Sequence, residues 1–381
     1  RPTGGRESEV TPSEHRYSSA RERPLQEPFV DAKFRAFAYP RRVKKVVAVI
    51  GAGAWGTALA AHAARLDHDV RLWAREPEVV RDINERHENR LLLEGVGLPP
   101  SIRASSDPGE VLDKADIVLL VPPSAFLRTV ASTIAPHVPA SARIGIATKG
   151  IENESLLLML DVVAQALPKA DPEALTVLSG PSFAREVASG LPTDVVVAAR
   201  DEVAAAAIQA ALHSPFFRVY TSRDPIGVEV GGAMKNVLAI AAGTCDGLGL
   251  GTNARAALVT RGLSEMARLG VALGGDPLTF MGLSGVGDLI LTTTGALSRN
   301  RTLGLKVAEG VDPVRYLASQ RAVAEGYLTA KAAWQLAQKH GVDVPITEQV
   351  YHVLHEGRPL LDAMKKLMTR AHKEELWGIR A

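Results

Sequence analysis

A single lysine in the middle of a long apolar segment is the residue whose possible chemistry is clearest. Between Ile226 and Gly243 the only charged residues are Glu229 and Lys235. A segment this apolar predicts a buried helix, and a buried lysine is costly unless it is paired, hydrogen-bonded or neutralised. The alternative is a lysine that reaches water from a helix end, but Lys235 is mid-segment. A buried lysine can donate a proton to a carbonyl oxygen, as hydride addition to a ketone requires.

Asp288 is the predicted partner of this lysine. It follows a glycine-rich turn at 282–287 and precedes a short apolar run. On a helix Asp288 and Thr292 would share one face, because residues four apart are neighbours there. The alternative is that Asp288 only caps a helix N-terminus, and the sequence leaves this open.

Three further segments have the residue types of an anion site. Ser298, Arg299 and Asn300 open a predicted helix, where hydroxyl, guanidinium and amide groups join free backbone N–H groups. A capped helix with a solvated arginine is the alternative. Lys149 and the segment 180–184 each follow a predicted strand, and open α/β sheets bind ligands at the carboxyl ends of their strands. We therefore expect them to line one crevice, although a surface lysine would look the same.

The glycine-rich loop at 51–56 predicts a dinucleotide site. Gly51, Gly53 and Gly56 form a G-x-G-x-x-G sequence directly after an apolar strand and at the start of an Ala-rich helix. Such glycines permit a tight turn, close approach to pyrophosphate and close helix–strand packing. The helix N-terminus would face the phosphates. An ordinary glycine turn is the alternative, but the strand–turn–helix–strand context favours the cofactor.

The end of the second strand bears on the choice between NADP and NAD. An acid there usually holds the ribose 2′-hydroxyl of NAD, whereas an arginine receives the 2′-phosphate of NADP. This strand ends in Arg75 followed by Glu76. Arg75 favours NADP, and Glu76 leaves NAD open.

The elements that must position these residues fall into two halves. Apolar runs of strand length recur at 45–50, 70–73, 117–121, 144–147, 175–178 and 195–199, with helix-period segments such as 124–135 and 155–166 between them. After 222 only helical patterns follow, at 225–243, 253–273, 299–309, 325–340 and 346–370, with a break at Pro359. This order predicts an α/β fold in which a doubly wound, parallel Rossmann-type sheet (43–222) precedes an all-helical domain (223–381).

Composition excludes several classes of protein. The chain is 46% hydrophobic and 23% charged, which rules out wholesale disorder. Its net charge of +2 gives no electrostatic basis for nucleic acid as the main partner. The single cysteine, Cys245, excludes an internal disulfide and a multi-thiolate metal site and fits a reducing compartment. No metal site is predicted. No uninterrupted apolar run approaches the roughly 18 residues of a membrane span, so none is expected.

The segment 1–42 differs from the rest in being basic and without a helical or strand period. It is predicted to be a poorly ordered, solvated tail. The alternative is the remnant of an organelle transit peptide, which its Arg and Ser content supports and its six acidic residues oppose. Cytoplasm and plastid stroma both remain open as the compartment.

Taken together and in order, these stretches resemble the NAD(P)-dependent glycerol-3-phosphate dehydrogenase family. The resemblance covers about residues 45–370. It rests on GAGAWGTALA (51–60), ATKGIE (147–152), LSGPSFA (178–184), GAMKNVLAIAAG (232–243), NARAALVTRGLSEM (253–266), LSGVGDLILT (283–292), LSRNRTLG (297–304) and AVAEG (322–326). INERHEN (83–89) is similar to the plastid forms of plants and algae.

The resemblance implies the roles of particular residues in a cleft between the two domains. Lys235 corresponds to the family's proton donor or acceptor. The positions that bind the phosphorylated substrate correspond to Lys149, Gly180, Ser182, Asp288, Ser298, Arg299 and Asn300, to which we add Asn236 and Thr292 from their places beside Lys235 and Asp288. The positions that line the nucleotide correspond to Trp55, Arg75, Lys149, Ala184, Arg299, Val323 and Glu325. Ala54 departs from the pattern, because many members have a serine there.

The implied reaction is reversible hydride transfer between NAD(P)H and dihydroxyacetone phosphate, which gives sn-glycerol 3-phosphate for glycerolipid synthesis. Asp288 would orient Lys235, and Lys149 would add positive potential. A ketopantoate-type or hydroxyacid reductase is the alternative enzyme, but it would not need the anion site at Arg299. A catalytically idle NAD(P) sensor is the alternative outside enzymes. Cofactor preference, feedback regulation and the oligomeric state, for which a homodimer is one expectation, stay open.

Overall fold

The computed structural model describes residues 43–320, 324–371 and 374–375. Two sequence-based predictions therefore lie outside the described residues, the tail at 1–42 and the nucleotide contact of Val323.

Eight strands form one sheet in the first half of the chain. They are Val46–Ile50 (β1), Asp69–Trp73 (β2), Arg103–Ser105 (β3), Ile117–Leu120 (β4), Arg143–Ile146 (β5), Thr176–Ser179 (β6), Thr193–Ala198 (β7) and Phe217–Ser222 (β8). Their order in the sheet is β3-β2-β1-β4-β5-β6-β7-β8. The first six strands run parallel in the order of a Rossmann-type sheet, so the predicted fold class is confirmed.

The prediction of a wholly parallel sheet was wrong at one edge. β7 pairs antiparallel with β6, and β8 then pairs parallel with β7. Apolar strand composition does not distinguish a parallel neighbour from an antiparallel one, because both positions are buried. The short β3 and the alternating β8 were not predicted, since only one or two side chains of either are fully buried.

Helices cover both faces of the sheet. They are Ala54–Arg65 (α1), Pro77–Arg81 (α2), Pro108–Leu112 (α3), Leu127–Ile134 (α4), Met159–Ala166 (α5), Ala184–Ala188 (α6) and Glu202–Leu212 (α7). Alternate residues of β1 enter two different cores: Val47 and Val49 pack in the core that holds α1 and α7, and Ala48 and Ile50 in the one that holds α4 and α5. Burial on both faces explains why the central strands β1 and β4 are apolar throughout.

The second half of the described chain is helical. Its helices are Pro225–Gly247 (α8), Gly251–Ala272 (α9), Asp288–Thr294 (α10), Arg299–Ala308 (α11), Pro313–Ser319 (α12), Glu325–Lys339 (α13), Pro345–Glu356 (α14) and Leu360–Met368 (α15). The predicted break before α15 falls at Gly357, which has a left-handed φ of 69° and is followed two residues later by Pro359. The prediction of one helix over 155–166 was inexact, because the helix begins at Met159.

The helix α8 is the centre of this half. Among the described residues it alone is long and apolar enough to cross a membrane, and 89% of its most apolar window is buried inside the protein. It packs against α9, α10, α11 and α13. A core helix of this kind meets the same length and hydropathy criteria as a membrane span.

Close packing between α8 and α11 sets the position of the anion-site residues. A Cβ atom on Gly243 would lie 2.0 Å from the carbonyl oxygen of Arg301, and one on Gly304 would lie 2.1 Å from that of Ile240. Only glycine therefore allows the two backbones to lie this close. The approach brings the first residues of α11 beside Asn236 of α8.

Candidate functional site

A carboxylate shared by two lysines forms the centre of the site. Asp288 Oδ1 accepts a hydrogen bond from Lys235 Nζ at 2.5 Å, and Oδ2 accepts one from Lys149 Nζ at 2.7 Å. The Asp288 side chain is 0% exposed, against 10% for Lys235 and 15% for Lys149. Lys149 follows β5, Lys235 is in the middle of α8 and Asp288 begins α10, so the fold joins three segments that are distant in sequence.

Burial and charge act against each other in this cluster. Burial, together with the nearby charge of Lys149, lowers the pKa of Lys235 to about 7 against the attraction of Asp288. Burial alone would raise the pKa of Asp288, but the two ammonium groups outweigh it and hold that pKa below its ordinary value. The carboxylate therefore stays ionised while Lys235 can gain and lose a proton near neutral pH.

Local structure holds Asp288 in place. The π-helical turn Leu283–Gly287 precedes it, and a Cβ atom on Gly231 of α8 would lie 2.4 Å from the Ser284 carbonyl oxygen. Thr292, one turn on, donates to the Asp288 carbonyl at 2.7 Å and lies 3.3 Å from Oδ1. The carboxylate is thus directed at the lysines, and it accepts no hydrogen bond from the backbone of a helix N-terminus among the described residues.

Next to the lysine, a buried amide pair links α8, α11 and α13. Asn300 Nδ2 donates to Asn236 Oδ1 at 2.9 Å, and Asn300 Oδ1 accepts from the Gly326 backbone N–H at 2.9 Å. Asn236 Nδ2 in turn donates to the Gly232 carbonyl at 3.3 Å. Within the described part of the chain, Asn300 therefore has one N–H bond left for a ligand.

Arg299 begins α11 beside this pair. Within the described residues its guanidinium makes no hydrogen bond or ion pair, and its side chain is exposed to solvent. Surrounding protein atoms still lower its pKa by desolvation, against the attraction of Glu325, as expected for a group in a concave cleft. Ser298 caps the helix by accepting from the Arg301 N–H at 3.2 Å. A free guanidinium at a helix N-terminus can bind an anion.

Glu325 connects the helical half to the sheet. Its Oε2 accepts from Ser124 Oγ at 2.5 Å and its Oε1 from the Ser124 backbone N–H at 3.2 Å. Burial raises the pKa of Glu325, against these hydrogen bonds. Sequence reasoning missed Ser124, although its place shortly after β4, at the carboxyl edge of the sheet, was an available signal.

The glycine-rich loop has room for a phosphate. A Cβ atom on Gly53 would meet nothing within 4 Å, whereas one on Gly56 would lie 1.9 Å from the Gly51 carbonyl oxygen. Gly51 itself has a left-handed φ of 116°. No side chain caps α1, and the buried indole N–H of Trp55 has no hydrogen-bond partner in the described structure. Free N–H groups facing open space fit the pyrophosphate of a dinucleotide. Ala54, where a serine would add a hydroxyl, contributes only backbone.

At the end of β2, Arg75 and Glu76 are paired with each other. Arg75 Nε and Nη2 donate to Glu76 Oε1 at 3.0 and 2.7 Å. The Arg75 side chain is 75% exposed, so the pair is weak and easily opened by a ligand.

The turn after β6 completes the crevice. Gly180 has a left-handed φ of 129°, and its carbonyl accepts from Lys149 Nζ at 3.2 Å and from Ser182 Oγ at 3.0 Å. Ala184 begins α6. The structure thus brings Gly180 and Ser182 to the lysine cluster. No group of three His, Cys, Asp or Glu side chains suited to a metal ion occurs among the described residues.

Known families match both halves of the chain. Residues 46–205 match the family described as NAD-dependent glycerol-3-phosphate dehydrogenase N-terminus, and residues 224–365 match the corresponding C-terminus. These matches confirm the resemblance read from the sequence motifs.

Individual proteins agree with the family matches. The chain is 50% identical over 329 residues to the glycerol-3-phosphate dehydrogenase [NAD(P)+] of Geobacter metallireducens. The matched region covers 86% of this chain and 98% of that protein. The crystal structure of glycerol-3-phosphate dehydrogenase from Coxiella burnetii superposes with a TM-score of 0.82 at 41% identity, over 86% of this chain and 99% of that one.

The alternative enzyme class shares only the fold. A ketopantoate reductase structure from Ralstonia eutropha has a TM-score of 0.52 at 19% identity, over 84% of this chain and 99% of that one. The family matches over both halves, together with the relative from Geobacter metallireducens that is 50% identical, show that the chain belongs to the NAD-dependent glycerol-3-phosphate dehydrogenase family.

Proposed function

We propose that this protein catalyses the reversible reduction of dihydroxyacetone phosphate to sn-glycerol 3-phosphate, with NADP or NAD as the cofactor. The observation that carries the proposal is the buried cluster of Lys149, Asp288 and Lys235 beside Arg299, whose guanidinium has no partner within the described residues. A proton donor and an anion anchor at one cleft are what a phosphorylated ketone requires.

The phosphate of the substrate binds at the start of α11. Arg299 contributes the charge, and Asn300 and Ser298 contribute amide and hydroxyl groups at the same helix N-terminus. Gly180 and Ser182 line the opposite side of the crevice, next to Lys149. Anchoring the phosphate fixes the ketone beside Lys235, so binding far from the reacting carbon sets the geometry of the reaction.

NAD(P)H, when bound, would supply the hydride that reduction of a ketone requires. The loop Gly51–Gly56 holds the pyrophosphate with the N–H groups of α1. Arg75 receives a 2′-phosphate, and Glu76 suits a 2′-hydroxyl, which supports use of both cofactors. The other residues proposed to line the nucleotide are Ala54, Trp55, Lys149, Ala184, Arg299, Val323 and Glu325.

Lys235 donates the proton that the C2 oxygen needs as hydride arrives. The oxygen becomes the hydroxyl of the product, and Lys235 is left neutral until solvent reprotonates it. Asp288 orients Lys235 with help from Thr292, and Asn236 lies beside it on α8. Lys149 stabilises the developing alkoxide by its charge. In the reverse direction Lys235 accepts the same proton.

The product would feed glycerolipid synthesis. We infer a soluble enzyme of the cytoplasm or plastid stroma, and burial of α8 in the protein core supports solubility. A homodimer remains a prediction.

Substrate discrimination by Arg299 tests this function. We expect rapid reduction of dihydroxyacetone phosphate and slow reduction of dihydroxyacetone. Arg299→Ala should raise KM for the phosphorylated ketone about tenfold to a hundredfold, because a hydrogen bond to a charged group contributes roughly 1.5–3 kcal/mol, and should change kcat much less.

Arg301→Ala is the matched control. Arg301 is two residues away, and its Nη2 is bound to Asp246 Oδ2 at 2.7 Å, so its loss should leave KM for substrate unchanged. Equal reduction of both ketones, or an effect of Arg299→Ala on kcat alone, would remove the phosphate role.

A further inference from the structure

A buried asparagine lies directly beneath the dinucleotide loop. Asn89 is 0% exposed, and its Nδ2 donates to the Ala52 carbonyl at 2.9 Å and to Thr57 Oγ1 at 2.9 Å. Its Oδ1 accepts from the Leu92 backbone N–H at 3.1 Å. Every polar atom of this side chain is therefore engaged, and two of the three contacts hold the loop or the first turn of α1.

The Ala52 carbonyl is the group that needs such a contact. It lies between Gly51 and Gly53, two residues that confer little conformational restriction of their own. Thr57 Oγ1 also approaches this carbonyl, at 3.3 Å. Asn89 and Thr57 together fix the orientation of the peptide at the centre of the loop, and hence the direction of the N–H groups that follow it.

Irregular backbone directs Asn89 inward. The π-helical turn Asp82–Arg86 is followed by His87, whose φ of 56° is left-handed. The His87 carbonyl then accepts from the Leu98 N–H at 2.7 Å, and Glu88 forms a β-bridge with Gly97. Such turns are unfavourable unless the surrounding contacts hold them, and they are frequent at functional sites.

We propose that Asn89 is a positioning residue for dinucleotide binding, which holds the loop Gly51–Gly56 in the conformation that presents its N–H groups to pyrophosphate. This inference rests on the proposed function. Asn89 acts on the part of the cofactor that NADPH and NADH share, whereas the 2′ position is recognised at Arg75 and Glu76. Its loss therefore weakens binding of both cofactors equally.

The experiment measures Kd for NADPH and for NADH by titration of cofactor fluorescence on the full chain. Asn89→Ala should raise both Kd values about tenfold. It leaves the buried Ala52 carbonyl without its amide donor, and the free-energy cost of losing such a hydrogen bond corresponds to roughly a tenfold change in Kd. KM for dihydroxyacetone phosphate at saturating cofactor should be unchanged. Asn89→Asp, which keeps the shape and the acceptor but loses the donor, gives the same result and serves if the alanine variant does not fold.

Asn84→Ala is the matched control. Asn84 is in the same segment and exchanges two hydrogen bonds with the Ala104 backbone, at 2.9 and 2.8 Å, and both of these bonds join it to β3 and not to the loop. It should lower thermal stability as much as Asn89→Ala without a change in either Kd.

Wild-type Kd values for Asn89→Ala and Asn89→Asp would overturn the inference, and so would an effect on NADPH alone or an equal loss of affinity in Asn84→Ala. The proposed function fails separately, if the wild-type protein binds both dinucleotides but does not oxidise NADPH when dihydroxyacetone phosphate is added.

Discussion

At the scale of single residues, the site depends on one carboxylate between two ammonium groups. Asp288 alone would be an expensive buried charge, and so would either lysine. With both lysines protonated, the three groups carry one net positive charge, which suits the phosphorylated substrate of the proposed reaction. Because Asp288 already accepts from both lysines, the remaining N–H bonds of Lys235 are available to the substrate oxygen.

The pH dependence of the reduction should report Lys235. Its pKa is lowered to about 7 by burial, and it must be protonated to act as an acid, so kcat/KM for reduction should fall as pH rises through about 7. Oxidation of glycerol 3-phosphate should rise over the same interval. The measurement is kcat/KM in both directions between about pH 5.5 and 9.

Asp288→Asn provides the diagnostic comparison. Asp288 raises the pKa of Lys235 by attraction. Its neutral replacement should therefore move the fall of kcat/KM for reduction to lower pH. If kcat/KM falls at the same pH as in wild type, or at a higher pH, another group supplies the proton.

At the scale of elements, α8 holds the two halves of the described structure in register. Lys235 lies at the site, and Glu229, almost two turns earlier, accepts from the Leu160 N–H at 2.8 Å at the start of α5. The residue before α5, Leu158, is apolar and makes no side-chain cap within the described structure. Glu229 thus caps a helix of the sheet layer from within the helical half.

This distant cap also explains the wrong helix start in the sequence-based prediction. Residues 155–158 are not helical, since Leu156 has a left-handed φ of 61° and Ser155 Oγ accepts from the Leu157 N–H at 3.2 Å. The apolar period suggested a helix from 155. The residue that fixes the true start is 69 positions away from Leu160, and a local pattern does not contain it.

Glu229→Gln should change the pH dependence of stability. Burial raises the pKa of Glu229 to about 8 from 4.5, so its favourable contribution is present below 4.5 and is lost as pH rises towards 8. The free energy of unfolding of Glu229→Gln minus that of wild type should therefore increase with pH across that window. The increase should be at most about 1.4 kcal/mol per pH unit. Urea unfolding at several pH values measures it.

The difference in free energy of unfolding between Glu229→Gln and wild type should be constant below about pH 4.5, where both side chains are neutral. That interval is the internal control. A difference that is constant up to pH 8, or one that falls as pH rises, would show that Glu229 is not held as the neutral acid.

At the scale of the whole molecule, the two halves meet at the site. The sheet supplies Lys149 and the glycine-rich loop at its carboxyl edge, and the helical half supplies Lys235, Asp288 and Arg299. The contact of Glu325 with Ser124 spans 201 residues of sequence. Neither half alone has both the anion anchor and the nucleotide loop.

The sequence predicted those parts of the fold and site that depend on local chemistry. Buried strands, the glycine-rich loop and a lysine in an apolar helix are visible because burial restricts composition over a few residues. The reversal of β7 and the contacts of Ser124 and Asn89 depend on which segments meet in space. Glu325 was found only through the family resemblance, because a lone glutamate at a helix start is also an ordinary first-turn acid.

The most direct test of the central claim is NAD(P)H absorbance after addition of dihydroxyacetone phosphate, with wild type and Lys235→Ala compared and each cofactor's Kd measured separately. We expect rapid oxidation by wild type, a loss of about a hundredfold or more in Lys235→Ala, and unchanged cofactor binding in the variant. The ratio of rates with NADPH and NADH reports the balance between Arg75 and Glu76. Undiminished turnover by Lys235→Ala, or tight cofactor binding by wild type without oxidation, would contradict the account.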